Sequence, residues 1–144
     1  MKSSQKVNGA MDAGRKPLKG VKVVDFSRML SGPFATMVLG DLGAEVIRVE
    51  DIVGSDTTRH NHPFVNVESH YLLAFNRNKI SISLDLKTEK GSQIAHNLVS
   101  RADVVVENFR YGVVERLGLD YKTLADINPR LVYCSITGFG QTGP

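Results

Sequence analysis

Three cations, an aromatic ring and an amide sit just behind apolar runs of this sequence: Lys87 after residues 80–84, and Asn108, Phe109, Arg110 and Arg116 after residues 103–106. Such a set suits an anionic, nucleotide-like ligand. Lysine and arginine meet phosphates, asparagine both donates and accepts hydrogen bonds, and phenylalanine stacks or packs on a base. Residue chemistry by itself goes no further than an anionic cofactor. The loop behind the first apolar run reads SRMLSGPFA instead of GxGxxG, which demotes a dinucleotide, and the Walker, GxSxG and HExxH signatures are missing. Asp25, at the end of that run, reads as the cap of the following turn and not as a nucleophile. Cys134 is the only cysteine; it rules out an intrachain disulfide or a thiol-based zinc cluster and reads as a small core residue. His60, His62 and His70 lie in an irregular stretch with no clear fourth ligand, so no metal is predicted.

The elements that must position these residues follow from periodicity. Residues 21–26 form a buried strand, Ser31, Gly32 and Pro33 open a helix running from Phe34 to Leu42, and residues 44–49 form a second strand. Residues 51–79 are polar and irregular, with Gly54, Ser55, Asp56 and Pro63, and only residues 71–75 are apolar enough to pack. Ile80, Ile82 and Leu84 alternate with serines, as a half-buried or edge strand would. A helix from Thr88 to Ser100 carries Ile94, Ala95, Leu98 and Val99 as its apolar stripe. The three valines at 104–106 suit a strand buried on both faces. Two short helices, 111–117 and 121–127, break at Gly118, and residues 131–136 form the last strand. The alternation predicts an α/β fold: a Rossmann-like parallel sheet with flanking helices, incomplete because the last strand lacks a return helix.

In such a sheet the ligand lies beyond the carboxyl ends of the strands. That rule selects residues 27–31, 85–87 and 107–110. Composition bounds the alternatives. With 144 residues and 42% hydrophobic content, the chain holds one ordinary domain with a real core. The formal charge of +3 resides in the first twenty positions, and the remainder, with 13 basic and 14 acidic side chains, is near neutral. A nucleic-acid partner is not predicted, since such binders gather basic residues on one face. No apolar run reaches the roughly 18 residues of a membrane span. Residues 1–16 read as a disordered or targeting-like tail, and 17–144 as the folded body.

Four segments carry a family resemblance across nearly all of 17–144: PLKGVKVVDFSRMLSGPFATMVLGDLGAEVIRVE, FNRNKISISLDLKTEKG, ADVVVENFR and NPRLVYCSITGFGQTGP. Together, in this order and spacing, they resemble the N-terminal part of the large domain of family III CoA-transferases, the formyl-CoA and carnitine CoA-transferase group. α-Methylacyl-CoA racemases share that fold but have glycine-rich text where this chain has Asn76, Arg77, Asn78 and Lys79, so a transferase is favoured.

The resemblance implies transfer of CoA between an acyl-CoA and a carboxylic, dicarboxylic, acid through an aspartyl intermediate. The aspartate would follow Pro144, so no catalytic residue is assigned and the 144-residue piece is expected to be inactive alone. Coenzyme A, as substrate and carrier, would contact Leu30, Ser31, Leu84, Asp85, Leu86, Lys87, Asn108, Phe109, Arg110 and Arg116. Asp51 departs from the pattern, standing where a relative has an arginine near the adenine and phosphate end, which leaves Arg28 or Lys87 to carry more of the charge. The family also implies an interlocked homodimer when full length, in mitochondria for the animal-type members and otherwise in the cytoplasm. A non-catalytic CoA- or nucleotide-binding module and an acyl-CoA racemase are the alternatives.

Overall fold

The computed structural model describes residues 16–52 and 57–141. The predicted tail, apart from Lys16, and the turn residues Gly54, Ser55 and Asp56 lie outside the described residues. Strand β1 (Lys22–Asp25), helix α1 (Ser31–Asp41) and strand β2 (Glu45–Glu50) form the first parallel unit. A short 3-10 turn (Thr57–Arg59), a small hairpin of β3 (Phe64–Val65) and β4 (Glu68–Ser69), and helix α2 (His70–Phe75) occupy the stretch expected to be irregular. Then come β5 (Lys79–Ser83), α3 (Glu89–Val99), β6 (Val104–Glu107), α4 (Val113–Leu117), α5 (Tyr121–Ile127) and β7 (Val132–Ser135).

The main sheet runs β5-β2-β1-β6-β7, with every pairing parallel. Chain order therefore reverses at β1: the first crossover goes one way to β2, and the chain later returns to lay β6 on the other side. Register places Val24 beside Ile47 and Val105, so the valine runs stack across the centre of the sheet. Period-two alternation then sorts side chains to two faces. Val24, Phe26, Val49 and Val105 pack with Ala95 and Val99 of α3 and Leu124 of α5, whereas Val23, Val46 and Val106 pack on the α1 side with Leu39. Burying such side chains contributes about 1.5–3 kcal/mol each, which is what holds short strands in one register. The alternating isoleucines belong, as the pattern predicts, to an edge strand: β5 is outermost, and Ile80 is exposed.

Two readings are corrected. Cys134 is exposed: β7 is the opposite edge strand, and α1 packs chiefly over β1, β2 and β6. Helix α1 begins at Ser31, three residues earlier than periodicity suggested, and Leu30 holds the cap position with no side-chain cap bond. Pro33 fits there because first-turn N–H groups have no helical partner to lose. Helix α3, in contrast, has a side-chain cap: Thr88, the residue at which the sequence reading began this helix, stands just before it, and its hydroxyl accepts from Gly91 N–H at 3.1 Å.

Candidate functional site

The loops behind β1 and β6 meet where chain order reverses, and one side chain fastens them together. Asn108 accepts from the Arg28 backbone N–H through Oδ1 and donates through Nδ2 to the Arg28 carbonyl, each at 2.8 Å. Both bonds span 80 residues of sequence, so the crevice wall is a tertiary product of the strand order. The Arg28 guanidinium lies over the Phe109 ring, 5.3 Å from its centroid, and 3.8 Å from the Asp51 carboxylate. Phe109 N–H in turn donates to the buried Glu107 carboxylate at 2.8 Å.

The third wall comes from the loop between β5 and α3. Asp85 organises it, accepting from Lys87 N–H through its side chain and from the Thr88 hydroxyl through its carbonyl. Gly91 permits the approach of that loop to α3, since a Cβ there would sit 1.9 Å from the Asp85 carbonyl oxygen. The three walls enclose a pocket of about 1030 Å³. Arg28, Lys87, Arg110 and Arg116 line it against only two carboxylates, Asp51 and Glu89, while Leu86, Phe109, Val113 and Leu117 supply apolar surface. That combination can hold a ligand with an anionic head and a less polar body.

Of the residues singled out by sequence, Leu86, Lys87, Asn108, Phe109, Arg110 and Arg116 line this pocket. Leu84 and Asp85 line a smaller cavity of about 100 Å³ that shares Leu86, Lys87 and Phe109 with it. Leu30 and Ser31 are at the same rim but line neither; Met29, in the left-handed region at φ 67, takes that place. The cap Thr88 and the first-turn residues Glu89 and Ser92 of α3 were also missed, although Ser92 stands four positions from Thr88 and three from Glu89, the spacings that make helical neighbours. A second cavity, about 690 Å³, lies on the other side of residues 108–110 and is lined by Tyr111, Ile136, Phe139 and Gln141 among others.

Beneath the rim is a buried polar layer. Asp25 accepts from Ser27 N–H at 2.9 Å, from the Ser27 and Thr36 hydroxyls, and from the Lys79 ammonium at 3.0 Å. Lys79 also donates to the Pro33 carbonyl and to Asn76 Oδ1. The turn-cap reading of Asp25 is therefore right but incomplete: it caps the site loop and anchors it to β5. In the turn at 76–79, Arg77 and Asn78 both donate to Asp41 at 2.6 Å, and the Arg77 hydrogen bond leads in holding the Asp41 carboxyl below its ordinary range. That turn clamps α1 and does not line the main pocket. Burial would raise the Glu50 carboxyl, but hydrogen bonds from Arg59 and Ser81 and the charge of Arg48 outweigh it and hold the group at about 2. His62 packs on Phe64 and His70 on Tyr71, and no group of three potential metal ligands exists among the described residues.

The profile of CoA-transferase family III matches residues 18–144. The chain belongs to that family. Among family relatives, human succinyl-CoA:glutarate CoA-transferase is 53% identical over 130 residues, covering 90% of this chain and 30% of the relative. Succinate–glutarate CoA-transferase of Agrobacterium fabrum is 48% identical over 137 residues, covering 90% and 34%. Acetyl-CoA:oxalate CoA-transferase of Acetobacter aceti is 49% identical over 128 residues, covering 89% and 33%. The crystal structure of a CAIB/BAIF family protein from Brucella suis superposes with a TM-score of 0.84 at 49% identity, over 90% of this chain and 35% of that one. This family III chain thus spans about a third of the length of the relatives it matches. No helix among its described residues is long and apolar enough to cross a membrane.

Proposed function

We propose that this chain supplies the CoA-binding rim of an enzyme that moves CoA between an acyl-CoA and a dicarboxylic acid, of the succinate–hydroxymethylglutarate kind. The observation that carries the reading is the convergence of Arg28, Lys87, Arg110 and Arg116 around Phe109 in one pocket at the carboxyl ends of parallel strands. Four cations against two carboxylates match a phosphate-rich head, and the apolar side of the same pocket matches an adenine or the pantetheine arm. Leu84 and Asp85 support the Lys87 loop from behind, and Leu30 and Ser31 flank the entrance.

In this reading an aspartate from polypeptide outside the 144 residues attacks the donor thioester, giving a mixed anhydride and CoA thiolate. The thiolate then takes the aspartyl carbonyl and releases the first acid, and the acceptor acid reverses the sequence. The residues described here perform none of these bond changes. They hold the nucleotide head so that the thiol end returns to one place in each half-reaction, which converts an intermolecular encounter into a positioned one. The full-length protein is, in the same reading, an interlocked homodimer; the exposed Phe34 and Val38 of α1, with Leu42 at its C-cap, support a further packing partner for this face.

Isothermal titration of the chain with CoA tests the rim directly. Binding is expected, and Lys87→Ala and Arg116→Ala should each weaken it about tenfold, the effect of losing one charge-assisted phosphate contact. A folded sample giving no heat would remove the assignment. Turnover of succinyl-CoA and glutarate by the 144-residue chain alone would refute the externally supplied aspartate.

A further inference from the structure

Asp51 is a carboxylate in the wall of a pocket whose other charged lining is mostly cationic. Its Oδ2 lies 3.8 Å from Nη2 of Arg28, and the same guanidinium rests over the Phe109 ring. Resting on the CoA reading above, we infer that Asp51 is an affinity-setting residue: it engages Arg28 and must yield that guanidinium when a phosphate arrives. Two physical effects share this sign. A phosphate competes with Asp51 for one cation, and it approaches a fixed charge of its own sign. The competition is winnable because the Arg28 and Asp51 side chains are 34% and 22% exposed and separated by 3.8 Å, a loose and partly solvated pair. Phosphate, in contrast, offers the planar guanidinium two oxygens at once.

The backbone of Arg28 cannot follow the exchange, since Asn108 bonds its N–H and its carbonyl together. Only the side chain turns, between the Asp51 carboxylate and the pocket, with the Phe109 face beneath it. Asp51 thereby lowers affinity for CoA below what the cations alone would give and quickens release of CoA from the rim.

The test is a double-mutant cycle read by isothermal titration with CoA on the intact chain. Asp51→Asn is expected to tighten CoA about fivefold, the upper end of what a partly exposed ion pair is worth. Asp51→Ser, which also keeps a small polar side chain in the loop, should reproduce the gain. In an Arg28→Gln background the gain should fall below about twofold, because no guanidinium is then released. Unchanged or weaker binding by both Asp51 variants, or an equal gain in the Arg28→Gln background, overturns the inference and leaves the CoA reading standing. Wild-type chain that takes up no CoA sinks the CoA reading and this inference with it.

Discussion

Replacing Lys79 with methionine removes the charge that holds the floor of the site. Its side chain is 1% exposed and that of Asp25 is fully buried, so neither ion can turn to water when the other is lost. Breaking a buried pair from one side costs about 3–5 kcal/mol, because a charge is left in a low-dielectric interior. Here Asp25 retains the Ser27 N–H and the Ser27 and Thr36 hydroxyls, which argues for the lower end, about 3 kcal/mol. The Pro33 carbonyl and Asn76 Oδ1 lose their donor as well, so the cost should not fall much below that. With a urea slope of about 2 kcal/mol per molar, the midpoint should drop by about 1.5 M in circular dichroism. The double variant Asp25→Asn with Lys79→Met removes both charges and should recover at least about 1.5 kcal/mol of the summed single losses. A single variant within about 1 kcal/mol of wild type, or a fully additive double, would show that the pair does not bear on the loop.

Glu50, Gly91 and Cys134 can each be tested in the same way. Glu50 titrates at about 2 in the fold against an ordinary 4.5, so its share of stability is complete above about pH 4.5 and is lost as pH falls through about 2. Wild type should lose about 2 kcal/mol more than Glu50→Gln between pH 5 and pH 2 in urea titrations, and parallel curves would contradict the assignment. Gly91→Ala forces the Asp85 carbonyl away from α3 and should cost about 2–3 kcal/mol in thermal unfolding, with weaker CoA binding as the loop shifts. Cys134, exposed on the edge strand, should react with a thiol reagent in the native chain as fast as in urea, and strong native protection would refute its placement.

What was legible from residues and what was not divides by range. The valine runs and the isoleucine alternation of β5 are local signals, as are the apolar stripe of α3 and the Gly118 break, and each appears where the pattern puts it. Lys79 and Asp25 are 54 positions apart, and nothing in either neighbourhood says that both are buried together. Strands of two residues, such as β3 and β4, are too short to show a period. Cys134 misled because an apolar strand looks the same at the centre of a sheet and at its margin. Met29 displaced Leu30 from the pocket through one positive φ, a backbone choice that hydropathy does not record. The rim residues at 86–87 and 108–110 were found because a general rule about parallel sheets, not a local motif, locates them.

The Asn108 clip grips only main-chain atoms of Arg28. Position 28 can therefore exchange its side chain over evolutionary time without loosening the wall on which it stands. Descendants of this scaffold can retune the electrostatics of the crevice one substitution at a time, while the asparagine opposite keeps the architecture constant.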